Sequence, residues 1–208
     1  MLLIGQFDSP FVRRVAVALH HYGMPYEHRP WSVWAQAAEI AKYNPLLRVP
    51  VLVMDDEQTL IESSAILDAL DELASDDRRL LPKSGPLRRA ALRVCALATG
   101  LADKAVSLFY EGVLRGEHRN AVWTNRCTAQ ITATLDLLER EREAAGGQLW
   151  FGRMSHADIA VTCTLRFLRE AHSRLWVESS HPALRAHAER CEAMPSFQSA
   201  VQALHVAV

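Results

Sequence analysis

The feature that most constrains this chain is the run Leu47-Arg48-Val49-Pro50-Val51-Leu52-Val53, followed shortly by Ile61-Glu62-Ser63-Ser64-Ala65-Ile66. A β-favouring run entered at a proline reads as a strand that starts there, because proline has no amide to give to a central ladder. The second segment opens a helix whose first turn offers a carboxylate and hydroxyls beside unpaired backbone amides, a setting that suits a small polar ligand. Between them, Asp55-Asp56-Glu57-Gln58 is a polar turn joining Val51 to Met54 with Thr59 to Ile61, which predicts a hairpin.

The rest of the first eighty residues alternates short apolar runs with helical spacing. Leu2 to Phe7 is a strand candidate. After Ser9-Pro10, the positions Val12, Val15, Ala16 and Leu19 follow the i, i+3, i+4, i+7 rule, and Gly23 is placed to stop the helix. Tyr26-Glu27-His28-Arg29 predicts a second strand ended by Pro30, and Ala35 to Tyr43 a weak helix closed by Asn44-Pro45. Ile66, Ala69, Leu70 and Leu73 repeat the helical spacing. The order β-α-β-α-β-β-α is that of a thioredoxin-like domain, here residues 1–77.

Residues 78–86, with Arg78-Arg79, Pro82, Gly85 and Pro86, predict a linker, and residues 87–208 an all-helical domain. Leu87 to about Arg115 is long and alanine-rich. Ala121 to Ala145 carries Ile131, Leu135 and Leu138 on one stripe and ends at Gly146-Gly147. Ser155 and Asp158 stand in the S-x-x-D relation of a capping box before an apolar helix running to about Arg169, a structural signal worth on the order of 1 kcal/mol.

Composition narrows the function classes. Half of the 208 residues are hydrophobic, enough for a substantial core, and the formal net charge of -1 gives no general affinity for nucleic acid or anionic lipid. The amino terminus lacks a basic leader and long apolar run, and no stretch reaches membrane-spanning length. Cys95, Cys127, Cys163 and Cys191 lie far apart with no Cys-x-x-Cys, which favours reduced thiols and a cytoplasmic location. Among nine histidines the best metal pair is His187 with Cys191, one helical turn apart; two ligands do not make a site, so no metal is expected.

Taken in order and at this spacing, several of these motifs resemble the cytosolic glutathione transferases over essentially the whole chain. They are Ser9-Pro10-Phe11-Val12-Arg13-Arg14-Val15, Asn44-Pro45-Leu46-Leu47-Arg48-Val49-Pro50-Val51-Leu52, Glu62-Ser63, the Ser155 to Asp158 cap and Met194-Pro195-Ser196-Phe197. Leu47 departs from the family's frequent glycine before the basic residue and Val-Pro. The Ser9 setting is similar to the serine-type classes, not to the cysteine-type classes or to the Ser-Ser-Cys of the zeta class.

The resemblance implies a chemistry for these residues. Glutathione is the co-substrate, and its thiol needs to be a thiolate to react. An ordinary cysteine thiol has a pKa of about 8.5, and lowering it by about two units takes roughly 2.7 kcal/mol of preference for the anion. Ser9 would donate a hydrogen bond to the sulfur while capping a helix whose positive end faces the same atom; taken alone, Ser9 is simply an N-cap. The resemblance further implies a cis Val49-Pro50 bond that leaves the Val49 backbone to pair with the cysteinyl part. Ser63 and its amide would take the γ-glutamyl carboxylate and Glu62 the ammonium, with Glu62 equally readable as a first-turn acid favoured by the helix dipole. Gln36 and Arg48, ahead of Lys42, would meet the glycyl carboxylate.

An apolar electrophile pocket is expected between the domains, drawn from Phe11, Trp34, Phe109, Tyr110 and Trp123. Asp103 reads as a solvated helix acid that, in some classes, approaches the γ-glutamyl ammonium across a dimer. The resemblance therefore implies a homodimeric, serine-type glutathione transferase, and composition adds that it engages neither nucleic acid nor membrane. The alternatives are a glutathione-dependent isomerase or peroxidase of the same fold, or a non-catalytic binding or scaffold protein.

Overall fold

The computed structural model describes residues 1–176 and 180–205. These form two compact units, one made of Met1–Leu80 with the chain from Pro195 onward, the other of Leu81–Met194.

In the first unit, strands β1 (Leu2–Ile4), β2 (Glu27–Arg29), β3 (Val51–Val53) and β4 (Thr59–Ile61) make one sheet in the order β2-β1-β3-β4. β1 and β2 are parallel with Leu3 opposite His28; β1 and β3, then β3 and β4, are antiparallel, with Leu3 and Leu60 both opposite Leu52. A parallel pair needs a crossover, and helix α1 (Pro10–Tyr22) supplies it. Its Val12, Val15, Ala16 and Leu19 are fully buried, as are Ile66 and Leu70 of α3 (Ser63–Leu73). α1 ends at Gly23 in the left-handed region (φ 71°), where the Gly23 amide bonds the His20 carbonyl and the Met24 amide bonds that of Leu19. Tyr22 then donates to Asp71 Oδ1 at 2.9 Å, and the Leu80 amide donates to the same oxygen at 2.7 Å. Burial, reinforced by the Asp71 charge, holds the Tyr22 phenol far above its ordinary value.

Three expectations need correcting here. β1 stops at Ile4 rather than Phe7, because Gly5 leaves the strand at φ 129°. The weak helix is a single turn, α2 (Ala37–Ile40), since Ile40 is its one buried residue. The anticipated linker and the carboxy-terminal end also pack differently. Arg78 donates to the Tyr22 carbonyl at 2.8 Å, Leu80 is buried, and the chain from Pro195 joins the first unit instead of the helical one. The reason for the last is Arg13. Fully buried on α1, it donates from Nε to the Ala200 carbonyl at 2.8 Å and from Nη2 to that of Phe197 at 3.1 Å, capping the short helix α8 (Pro195–Gln198).

The second unit contains α4 (Pro86–Arg115), α5 (Ala121–Ala145), α6 (His156–Ala171) and α7 (Pro182–Glu192). Asn120 caps α5 by accepting from the Trp123 amide at 3.1 Å. The capping box of α6 forms: Asp158, wholly buried, accepts from the Ser155 amide at 2.9 Å, the Ser155 hydroxyl at 2.6 Å and the Trp150 amide at 2.8 Å. His187 and Cys191 lie beside it on α7, with the His187 Nε2 3.7 Å from Asp158 Oδ1 and from Cys191 Sγ. Burial, aided by the Arg142 charge, pushes His187 down to about 4, and burial pushes the Cys191 thiol up to about 12. Both are therefore neutral near pH 7, and the pair is core. Among the described residues no group of three His, Cys, Asp or Glu is placed to hold a metal ion. None of their helices is long and apolar enough to cross a membrane. All four cysteines are buried free thiols.

Candidate active site

The site begins at the turn from β1 into α1. Ser9 has extended backbone angles, Pro10 takes the first helical position, and the Ser9 carbonyl receives the Arg13 amide at 2.9 Å. Its Oγ accepts from the Val12 amide at 3.4 Å, which occupies the oxygen as an acceptor and leaves the hydroxyl proton to be donated elsewhere. The amides of the first turn and the helix dipole favour negative charge at this end.

Gly5 brings the second element alongside. A Cβ built on it would lie 2.5 Å from Val12 Cγ2 and 2.9 Å from Val49 Cβ, so the first turn of α1 and the residue before Pro50 are both packed against its bare Cα. The Val49-Pro50 peptide is cis. The loop leading to it is held by Asn44, which is buried, donates from Nδ2 to the Arg48 carbonyl at 2.8 Å and accepts the Leu46 amide at 3.0 Å.

The third element is the start of α3. Glu62 occupies the N-cap position with φ 66°, a left-handed conformation uncommon for glutamate, and Arg48 Nη1 lies 3.4 Å from its Oε1. Ser63 is buried, and its Oγ accepts from Arg14 Nη1 of α1 at 3.4 Å. Arg14 thus ties the helix that carries Ser9 to the helix that begins at Ser63.

The remaining expected residues are placed less uniformly. Gln36 precedes α2 and spends its Oε1 on the Ser32 amide at 2.8 Å. Phe11 is half-buried in the first turn of α1, and Trp34 is exposed on the loop before α2. Phe109 and Tyr110 sit on α4 in the helical unit with ring centroids 5.5 Å apart. Phe109 lines a cleft of about 620 Å³ within that unit, with Leu108, Val113, Arg119 and His172; Tyr110 is not among its lining residues. Trp123 stacks under Lys104, and Asp103 lies exposed near the same lysine.

A model of the glutathione S-transferase N-terminal domain matches residues 3–78, and one of the glutathione S-transferase C-terminal domain matches residues 121–190, together more than half of the chain. The chain belongs to the glutathione S-transferase family. Glutathione S-transferase U1 of Arabidopsis thaliana is 30% identical over 177 residues, covering 84% of this chain and 72% of its own length. Among solved structures, the glutathione S-transferase of Methylobacterium radiotolerans, in complex with glutathione sulfonate, is 30% identical with a TM-score of 0.91, covering 100% of this chain and 97% of that one. A glutathione transferase family member from Pseudomonas fluorescens with bound glutathione is 31% identical with a TM-score of 0.85, covering 96% and 97%.

Within this glutathione S-transferase fold, Gly5, Asn44 and Arg14 shape the site although sequence reasoning gave them no part in it. Arg14 and Asn44 lie inside the Ser9 to Val15 and Asn44 to Leu52 motifs, and Gly5 stands between an apolar run and a Ser-Pro cap, but none of these signals names a partner. The departure at Leu47 also has a physical meaning: Leu47 has φ 54°, a conformation that costs a side-chain-bearing residue about 1 kcal/mol. Leu47→Gly is expected to raise stability by about 0.5 kcal/mol, the relieved strain exceeding the added unfolded-state entropy. Leu47→Val, β-branched, should lower stability by more than 1 kcal/mol. Thermal unfolding of the three proteins checks the order Gly, Leu, Val.

Proposed function

We propose that this chain adds the thiolate of glutathione to an electrophilic small molecule, with Ser9 donating a hydrogen bond to the sulfur. The observation that carries the reading is the state of the Ser9 hydroxyl at the amino end of α1. Its oxygen is already accepting from Val12, so its proton is available to an anion at a helix end that favours one. The thiol proton leaves to solvent, the sulfur forms a bond to the electrophilic carbon, and any leaving group departs with its electron pair.

The other assignments follow the same elements. The Val49 backbone, held against Gly5, pairs with the cysteinyl part. Ser63 receives the γ-glutamyl carboxylate and Glu62 the ammonium. Arg48 spends one of its donors on Glu62 and has others for the glycyl carboxylate, beside the amide nitrogen of Gln36. Phe11 and Trp34 supply apolar surface for the electrophile from the first unit. We further infer a homodimeric, cytoplasmic protein; the buried free thiols fit a reducing compartment.

The test is Ser9→Ala, assayed with glutathione and an activated aryl chloride, alongside calorimetric titration with glutathione. The expected result is binding within threefold of the parent and a loss of about 100-fold in kcat/KM, equivalent to about 2.7 kcal/mol of transition-state stabilisation. Equal turnover in the two proteins overturns the role of Ser9. A parent that does not bind glutathione overturns the transferase reading in favour of a binding or scaffold protein.

A further inference from the structure

The carboxy-terminal segment after α8 lies on both sides of Ser9 in the chain. Arg13, four residues beyond Ser9 and bonded to its carbonyl through the Arg13 amide, holds the Phe197 and Ala200 carbonyls. Its guanidinium also sits 5.8 Å from the centroid of the buried Phe197 ring. The segment then runs to the loop just before Ser9: Gln202 Oε1 accepts from the Phe7 amide at 3.0 Å, and the His205 amide donates to Asp8 Oδ2 at 3.1 Å. On its other side the same loop is held by the Phe7 ring stacked on His28 at 3.9 Å, and by a hydrogen bond between His28 Nε2 and the Gly5 carbonyl at 2.8 Å.

This arrangement is more than a tether for a chain end. Arg13 and the buried Phe197 ring anchor α8, yet the segment continues and spends a side-chain acceptor on a backbone amide two residues before the cap. A loop of four residues joins β1 to Ser9, so the direction of the Ser9 Oγ depends on how that loop is fixed. A hydroxyl that stabilises an anion has to be held before the charge appears, because reorientation at that moment subtracts from the stabilisation.

We propose that Gln202 is a positioning residue for Ser9: it fixes the Phe7-Asp8 turn and thereby aims the hydroxyl that lowers the thiol pKa of bound glutathione. This rests on the reading of Ser9 above. Without the Gln202 acceptor the turn relaxes, the Ser9 Oγ samples other directions, and the bound thiol is less acidic, while α8 stays anchored through Arg13.

The experiment is a pH titration of the thiolate absorbance of bound glutathione and of kcat/KM in the full chain, for the parent, Gln202→Met, Gln202→Glu and Ser9→Ala. Gln202→Met keeps the length but removes the acceptor; Gln202→Glu keeps an acceptor oxygen. The expected result for Gln202→Met is an apparent thiol pKa higher by about half a unit to one unit, with turnover at neutral pH down about three- to tenfold and the unfolding temperature little changed. Gln202→Glu should restore turnover to within about twofold of the parent. A parent-like thiol pKa in Gln202→Met overturns the proposal, as does a fall in turnover explained wholly by glutathione affinity or by unfolding. If Ser9→Ala raises the thiol pKa and Gln202→Met does not, the positioning role alone fails; if neither raises it, the reading of Ser9 fails first.

Discussion

Gly5→Ala is expected to lower the free energy of unfolding by about 4 kcal/mol, read as a fall in the urea midpoint with an unchanged slope. Two costs add. The backbone at φ 129° lies where side-chain-bearing residues are rarely found, and the new methyl would stand 2.5 Å from Val12 Cγ2 and 2.9 Å from Val49 Cβ, neither of which is the yielding end of a flexible chain. Two other glycines separate the contributions. Gly146 has φ 59° with nothing near its missing Cβ, so Gly146→Ala should cost only about 1 kcal/mol of backbone strain. Gly100 stands inside α4 with open space, so Gly100→Ala should gain about 0.8 kcal/mol from helix propensity. A Gly5→Ala effect no larger than that of Gly146→Ala would mean that the close approach of Val49 to α1 is wrong, and with it the construction of the site.

Arg13→Met is expected to cost about 3 kcal/mol, the second largest effect. Methionine fills much of the volume but offers no donors, so the Ala200 carbonyl loses its Arg13 donor and the Phe197 carbonyl keeps only the Ala200 amide at 3.3 Å, while both residues remain fully buried. Arg13→Lys should recover less than half of the loss, because one ammonium on a flexible stem does not reproduce a planar fork that reaches two carbonyls. Limited proteolysis from the carboxy terminus would show the same ranking, with Arg13→Met cleaved fastest. Parent-like stability in Arg13→Met would mean that Phe197 packing and the contacts of Gln202 and His205 hold the segment from Pro195 without the guanidinium.

The parts of the molecule legible in the sequence are those written locally. Proline and glycine punctuation and apolar spacing announced α1 with its Ser9 cap and Gly23 stop, the hairpin of β3 and β4, and the long helices from Pro86 and Ala121. The Ser155 and Asp158 cap was legible for the same reason, since both partners lie within one turn. What stayed hidden depends on distance along the chain. Arg13 meets Ala200 across 187 residues and Arg14 meets Ser63 across 49, and the Ser9 to Val15 motif that contains both arginines does not say which distant groups they reach. Asn44 reads as a helix stop before Pro45, yet it also clamps the loop ahead of Val49. The expected pocket residues divide similarly: Phe11 and Trp34 belong to the first unit, Phe109 and Tyr110 to the second, and no spacing rule relates them.

The most direct measurement of Ser9 chemistry is a crystal structure of the full chain with glutathione bound. The sulfur should lie within about 3.5 Å of Ser9 Oγ. The cysteinyl backbone should pair with Val49, and the γ-glutamyl carboxylate should reach the Ser63 amide. Glutathione seated on Val49 and Ser63 with its sulfur turned to another donor, out of reach of Ser9, would contradict the assignment of Ser9 as the group that holds the thiolate.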